Sequence, residues 1–263
     1  MGIERKRSLI MEAIKDAIQK VRLLAPKQHV LLISHMRANT SLVGHLIGSH
    51  EDISGYYEMH IGYYSWKSLI NQKFLFHEQN RTEPVTDFYF DKVLHNEHFT
   101  SRDVLCRDNV KLLVALREPK ATIKSIVKLY SAKNPEHPCA TPKGAAQYYL
   151  DRVRYITDLI LSLGNDQNYY YYDADDIIQH PKRVLGEMKE FLGIDRAFEA
   201  TYRKFEKTGH RFAGDSSENI HAGVIVKKSP DSSVLDLDNE LLMSCQDAYH
   251  LCREKLIQHS WKA

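Results

Sequence analysis

The feature that most constrains this chain is a pair of short apolar runs, each followed at once by helical patterning. "HVLLIS" at 29–34 and "VKLLVAL" at 110–116 show no alternation of polar and apolar residues. A strand with one wet face alternates, whereas a strand covered on both faces does not. After the first run, Leu42, Val43, Leu46 and Ile47 return at helical spacing and predict a helix over about 40–48. After the second, Pro119 stands where a helix should begin, because its fixed φ and missing N–H suit the first helical position. Such repetition implies an α/β domain with a mostly parallel central sheet flanked by helices.

The rest of the chain fits one such domain over 28–263. Ahead of it, Leu9, Ile10, Ala13, Ile14, Ala17, Ile18, Val21 and Leu24 predict an amphipathic helix within 1–27, ended by Pro26. Its apolar stripe suits packing or an oligomer contact such as a homodimer. "TDFYFDKVLHN" reads as a short aromatic strand ending near Asp91, and "SAKNPEHPCATPK" at 131–143 as a loop. A helix is expected from Ala145 to about Leu163. "NYYYYDADDIIQHPKRVLGEMKEFLGI" predicts a strand, a turn and a helix stopped by Gly193, and a last helix starts near Asn239. The aromatic stretch "YYEMHIGYYSWKSLINQK" mixes loop with helix; most of its tyrosines read as core, and with Trp66 they have stacking on an acceptor as their other use.

Charge narrows the function. The formal net charge of 263 residues is only +2, too little for a general nucleic-acid binder, so anion recognition should be local. Cys106, Cys139, Cys245 and Cys252 show no paired short spacing, which fits reduced thiols and a cytoplasmic protein. The basic start is broken by acidic residues and Gln before an apolar core forms, so no signal peptide is expected. No run approaches the roughly 20 apolar residues of a membrane span. The fourteen histidines are scattered, His95 and His98 lack the partners that would make a metal cluster convincing, and no metal is expected.

The first strand delivers Arg37, Ala38, Asn39, Thr40 and Ser41 to the start of a helix. In a parallel sheet, ligands sit beyond the carboxyl ends of the strands, and a helix N-terminus there favours phosphate. Thr40 or Ser41 can cap the helix, Asn39 tolerates a left-handed backbone, and Arg37 adds a permanent multi-donor charge. An ordinary strand–helix turn with a surface arginine has the same composition. The loop lacks the GxxxxGK[ST] of a Walker A motif, which argues against a P-loop-like kinase acting on ATP.

The second unit repeats the logic with Arg117, Pro119 and Ser125. Together with "RANTS" at 37–41, the pair resembles the two cofactor motifs of the sulfotransferases that use 3′-phosphoadenosine-5′-phosphosulfate (PAPS). "YYYYDADDIIQHPKRVLGEMKEFLGI" and "GDSSENIHAGVI" are similar to later segments of that family, so the likeness spans about 29–226. Ala38 and Asn39 replace the family's usual Ser-Gly, and Asp173 its usual Glu.

The resemblance implies a P-loop NTPase-like sulfotransferase fold, PAPS as sulfuryl donor and PAP as product. It implies that Ala38, Asn39, Thr40 and Ser41 hold the 5′-phosphate while Arg37 reaches the bridging oxygen and sulfuryl group. Arg117 and Ser125 would take the 3′-phosphate, two anion sites at opposite ends of one nucleotide. Glu58 is the first candidate for the base that activates an acceptor hydroxyl and His60 the reserve; Lys92 would steady the sulfuryl group or the acceptor. Arg211, Gly214 and Asp215 would close over the cofactor. The acceptor would be a carbohydrate or small metabolite, with a solvated loop glutamate and a surface lysine as the plain readings of Glu58 and Lys92. A non-catalytic PAP- or PAPS-binding protein remains the alternative.

Overall fold

Both apolar runs are central strands. In the computed structural model, which describes residues 2–164, 169–206, 208, 218–227 and 235–262, five strands make one sheet. They are β1 (Gln28–Ile33), β2 (Ile53–Ser54), β3 (Phe88–Val93), β4 (Val110–Leu116) and β5 (Tyr169–Asp173). Their order is β2-β3-β1-β4-β5 and every pairing is parallel. The helices are α1 (Gly2–Leu24), α2 (Thr40–Gly48), α3 (Trp66–Gln79), α4 (Arg102–Leu105), α5 (Pro119–Lys133), α6 (Pro142–Leu163), α7 (Asp176–Gln179), α8 (Pro181–Leu192) and α9 (Asn239–His259).

Strand periodicity explains the unbroken apolar runs. Leu31, Ile33, Leu112, Val114 and Leu116 enter a core with Ile123, Tyr149, Val153 and Leu256 from α5, α6 and α9. Val30, Leu32, Leu113 and Ala115 enter the opposite core, with Val43 and Ile47 of α2 and Val184 and Met188 of α8. The four tyrosines of β5 divide in the same way, Tyr169 and Tyr171 to the first core, Tyr170 and Tyr172 to the second. Successive side chains point to opposite faces, and here both faces are covered.

Several elements differ from expectation. β3 continues past Asp91 through Lys92 to Val93. α6 starts at Pro142, where Thr141 Oγ1 accepts from Gly144 N at 3.1 Å, and α5 runs to Lys133 into the stretch read as loop. β2 and α4 have two and four residues, too few to carry a period. On α1, Ile10, Ile14, Ile18, Val21 and Leu24 are exposed, while Leu23 joins a small core with Tyr57, Phe76 and Tyr89. Among the described residues, no helix is long and apolar enough to cross a membrane.

Chain order reverses beside β1: the chain builds one side of the sheet through β2 and β3, then crosses to β4 and β5. Ligands bind at such a crevice, beyond the strand ends. Two contacts shape it. Gly44 and Gly48, one turn apart on α2, lie against the Tyr56 and Gly55 carbonyls so closely that a Cβ at either position would clash. Glycine inside a helix costs about 1 kcal/mol relative to alanine; here it lets α2 pack directly on the backbone leading to Glu58. The second contact is Arg152 of α6, 1% exposed. It donates to Ser34 O at 2.8 Å, to Val93 O, and to Asn96 Oδ1 at 2.9 Å, so one guanidinium fastens the ends of β1 and β3. Arg152→Met leaves Ser34 O without this donor and Val93 O with Ser34 N alone, and should cost about 1–3 kcal/mol, read as a lower urea midpoint with unchanged slope.

Candidate active site

Beyond β1 the backbone is held on both sides. Ser34 Oγ donates to Ala115 O at 2.7 Å and Ser34 N donates to Val93 O at 3.3 Å. His35 is fully buried, with Nδ1 2.9 Å from Met36 O, and its Nε2 accepts from Arg117 N at 3.0 Å. Burial pushes its pKa down to about 4, so the ring is neutral and Nδ1 carries the proton. Met36 N then donates to Tyr148 Oη at 2.9 Å.

The loop that follows is strained. Arg37 has φ 65° and Asn39 φ 56°, a left-handed backbone uncommon outside glycine. Asn39 takes the conformation its identity suggests; Arg37 is a second such residue that the sequence does not announce. Asn39 is also the residue that precedes α2, so Thr40 and Ser41 lie inside the first turn rather than capping it. Its amide donates to Ala174 O at 2.9 Å and Asp175 Oδ1 at 3.0 Å, tying the loop to the end of β5.

Arg117 lies at the end of β4. Its Nε donates to Asp175 Oδ1 at 2.9 Å and its Nη1 to Arg37 O at 3.3 Å, while its carbonyl accepts from Tyr149 Oη at 2.8 Å. Glu118 caps α5, accepting from Lys120 N and Ala121 N. Ser125, two turns into α5, accepts from Arg37 Nε at 2.9 Å. The two strand-end arginines expected to serve one nucleotide stand at one mouth, linked through Arg37 O and Ser125. The cause is plain: β1 and β4 are neighbours, and paired strands lie only about 4.8 Å apart.

The third wall comes from β3. Asp91, 1% exposed, accepts from Met59 N at 2.9 Å, Lys92 N at 2.7 Å and Tyr63 Oη at 2.7 Å. Burial raises its pKa to about 7, against the lowering effect of the Tyr63 and Met59 bonds, and the charge of Glu58 adds to the rise. These bonds pin the segment that carries Glu58. Glu58 is 5% exposed and Lys92 1%, so neither is the solvated residue that its type alone suggests. Glu58 Oε1 is buried and accepts no hydrogen bond; His60 Nδ1 is 3.8 Å from it. His60 has φ 56°, and its Nδ1 lies 3.4 Å from His98 Nε2.

Hydrogen bonds therefore bring Arg37, Asn39, Arg117 and Ser125 together at the ends of β1 and β4, Ala38 lies buried between them in the core with Thr40 and Ser41 following at the start of α2, and Glu58, His60 and Lys92 belong to the neighbouring β3 side. Arg211, Gly214 and Asp215 lie outside the described residues. Asp91, Tyr148, Arg152 and Asp175 are site-forming residues that the sequence reading did not single out. Arg152 had a signal: it falls on the apolar stripe of α6 with Tyr149, Val153 and Ile156.

No family model matches the chain, and no curated protein matches it by sequence. Solved structures do match its shape. A sulfotransferase domain from the curacin biosynthetic pathway superposes with TM-score 0.57 at 14% identity, over 86% of this chain and 97% of that one. The mouse sulfotransferase SULT7A1 complexed with PAP gives 0.54 at 17% identity, over 89% and 86%. A sulfotransferase domain from the Synechococcus PCC 7002 olefin synthase gives 0.52 at 16%, over 86% and 94%. The chain has the sulfotransferase fold. In this sulfotransferase fold the expected parallel α/β architecture is present, and the left-handed turn before α2 falls on Asn39.

The buried histidines set a pH response. Burial pushes His29, His35 and His77 down to about 4; unfolded, each titrates near 6.5. The folded state thus binds fewer protons between these values, so stability is complete above about pH 6.5 and falls as pH drops toward 4. Asp91, raised to about 7, acts in the opposite sense, one group against three. Urea midpoints measured across this window should fall with acidification, and His35→Gln should flatten the fall.

Proposed function

We propose that this chain is a PAPS-dependent sulfotransferase that moves a sulfuryl group in line to a hydroxyl of a carbohydrate or small-metabolite acceptor. One observation carries the reading. Arg37, on a left-handed loop, and Arg117 converge at the crevice beside β1, with Ser125 bonded to Arg37. A nucleotide with phosphates at both its 5′ and 3′ positions needs such paired cationic arms.

In this reading the backbone and hydroxyls of Ala38–Ser41 hold the 5′-phosphate, and Arg117 and Ser125 take the 3′-phosphate. PAPS supplies the sulfuryl group. Arg37 meets the bridging oxygen, where charge builds as the bond breaks, and so binds the transition state more tightly than the ground state. Sulfuryl transfer resembles phosphoryl transfer, in which positioning and charge stabilisation do most of the catalysis. Glu58 is the base: its Oε1, buried and accepting no hydrogen bond, can take the proton of an acceptor hydroxyl. His60, 3.8 Å from it, is the reserve, and Lys92 steadies the sulfuryl group or acceptor. Arg211 and Gly214 close over the nucleotide. The transfer is assigned no metal. The mouse neighbour's complex with PAP supports the nucleotide, the four free thiols support a cytoplasmic setting, and the exposed stripe of α1 supports a homodimer.

Two variants test the roles. Arg117→Ala removes a charge-assisted phosphate contact and should weaken PAP binding about tenfold or more. Glu58→Gln should leave PAP affinity unchanged and lower turnover about 10²-fold or more, with sulfated product followed by mass spectrometry over sugars, phenols and lipids. Unchanged turnover removes Glu58 from the mechanism. Tight PAP binding without product from any acceptor makes the chain a nucleotide-binding protein instead.

A further inference from the structure

We propose that Glu58, His60 and His98 form a binding site for one divalent transition-metal ion of the zinc type. The three offer one carboxylate oxygen and two imidazole nitrogens, all within 4.8 Å of one another. Zinc takes such ligands at about 2.0–2.1 Å in a tetrahedral arrangement, which places neighbouring donor atoms roughly 3.3 Å apart. His60 Nδ1 and His98 Nε2 are 3.4 Å apart and His60 Nδ1 and Glu58 Oε1 3.8 Å. Small side-chain rotations close the remainder.

Independent features hold the donors in place. Met59 N is fixed on Asp91 between Glu58 and His60. Tyr63 N donates to Phe99 O at 2.7 Å and Ser101 N to Tyr63 O at 2.8 Å, so the backbone after His60 is bonded to the backbone after His98. His60 itself keeps a left-handed backbone, φ 56°, and strain of this kind persists where the surroundings over-determine it. The second pointer is Glu58 Oε1. A buried carboxylate oxygen that accepts no hydrogen bond is costly. A proton shared between the two rings would satisfy His60 and His98 and still leave this oxygen unmet; a cation satisfies all three. Two imidazoles select zinc-type ions over magnesium or calcium, which prefer oxygen ligands.

The site also bears on catalysis, and that part rests on the reading of Glu58 as the base. An ion bound there occupies the lone pair that would take the acceptor proton, so the metal silences transfer and a chelator restores it.

The test is a calorimetric titration of chelator-stripped protein with zinc sulfate, for the natural chain and for His98→Ala and Glu58→Gln, each checked for cooperative unfolding. The expected result is one zinc ion per chain, with affinity lowered by at least about tenfold in either variant and no uptake of magnesium. Absence of zinc binding, or equal binding in the natural chain and both variants, overturns the proposal. PAP affinity on the same samples separates the two readings: zinc binding with no PAP binding refutes the nucleotide reading and leaves the metal site standing. Turnover unaffected by saturating zinc overturns the inhibitory part alone.

Discussion

Arg152 joins the ends of two strands from inside the protein, and the geometry of the crevice depends on it. The Ser34 carbonyl just beyond β1 and the Val93 carbonyl that ends β3 both accept from one guanidinium. A buried arginine is stable only when its donors are met, and three acceptors, one after β1 and two at the end of β3, receive them here. The consequence is positional. Arg37 follows Ser34 by three residues, and Lys92 and Asp91 precede the Val93 carbonyl, so one side chain of α6 sets the spacing between the Arg37 loop and the β3 wall.

On this frame the loop before α2 takes on strain. Two non-glycine residues within three positions have a left-handed backbone, and each is over-determined: Arg37 by Ser125 and Arg117, Asn39 by Ala174 and Asp175. These contacts come from α5 and from the ends of β4 and β5, so the loop is stitched to both strands on that side of β1. Such preorganisation keeps donors in place before a ligand arrives, which lowers the reorganisation that the proposed anion binding would otherwise require. The same economy explains Asp91, a carboxylate held inside the fold to anchor the 59–63 segment.

The central strands and the longer helices were legible because burial on both faces leaves an unbroken apolar run and helices keep their period. Pro119, Gly193 and Asn39 announced their positions through backbone preferences that few residues share. Arg37 did not, since nothing in an arginine's chemistry signals a positive φ. β3 was half legible: "FYF" reads as strand, but Asp91 and Lys92 are polar residues buried for their bonds, and polarity hid the last turns of the strand. The approach of His98 to His60 is invisible in sequence, because it arises from backbone pairing between Tyr63 and residues 99–101. That Arg37 and Arg117 share one mouth is likewise set by strand order, which decides which ends are neighbours, and not by motif spacing.

In the proposed function, paired arginine arms recognise a nucleotide by its second phosphate. The most direct measurement is the calorimetric affinity of the natural chain for PAP beside that for adenosine 5′-phosphate, under one buffer and salt. Recognition of the 3′-phosphate predicts that PAP binds at least about tenfold more tightly. Equal affinity for the two would contradict it.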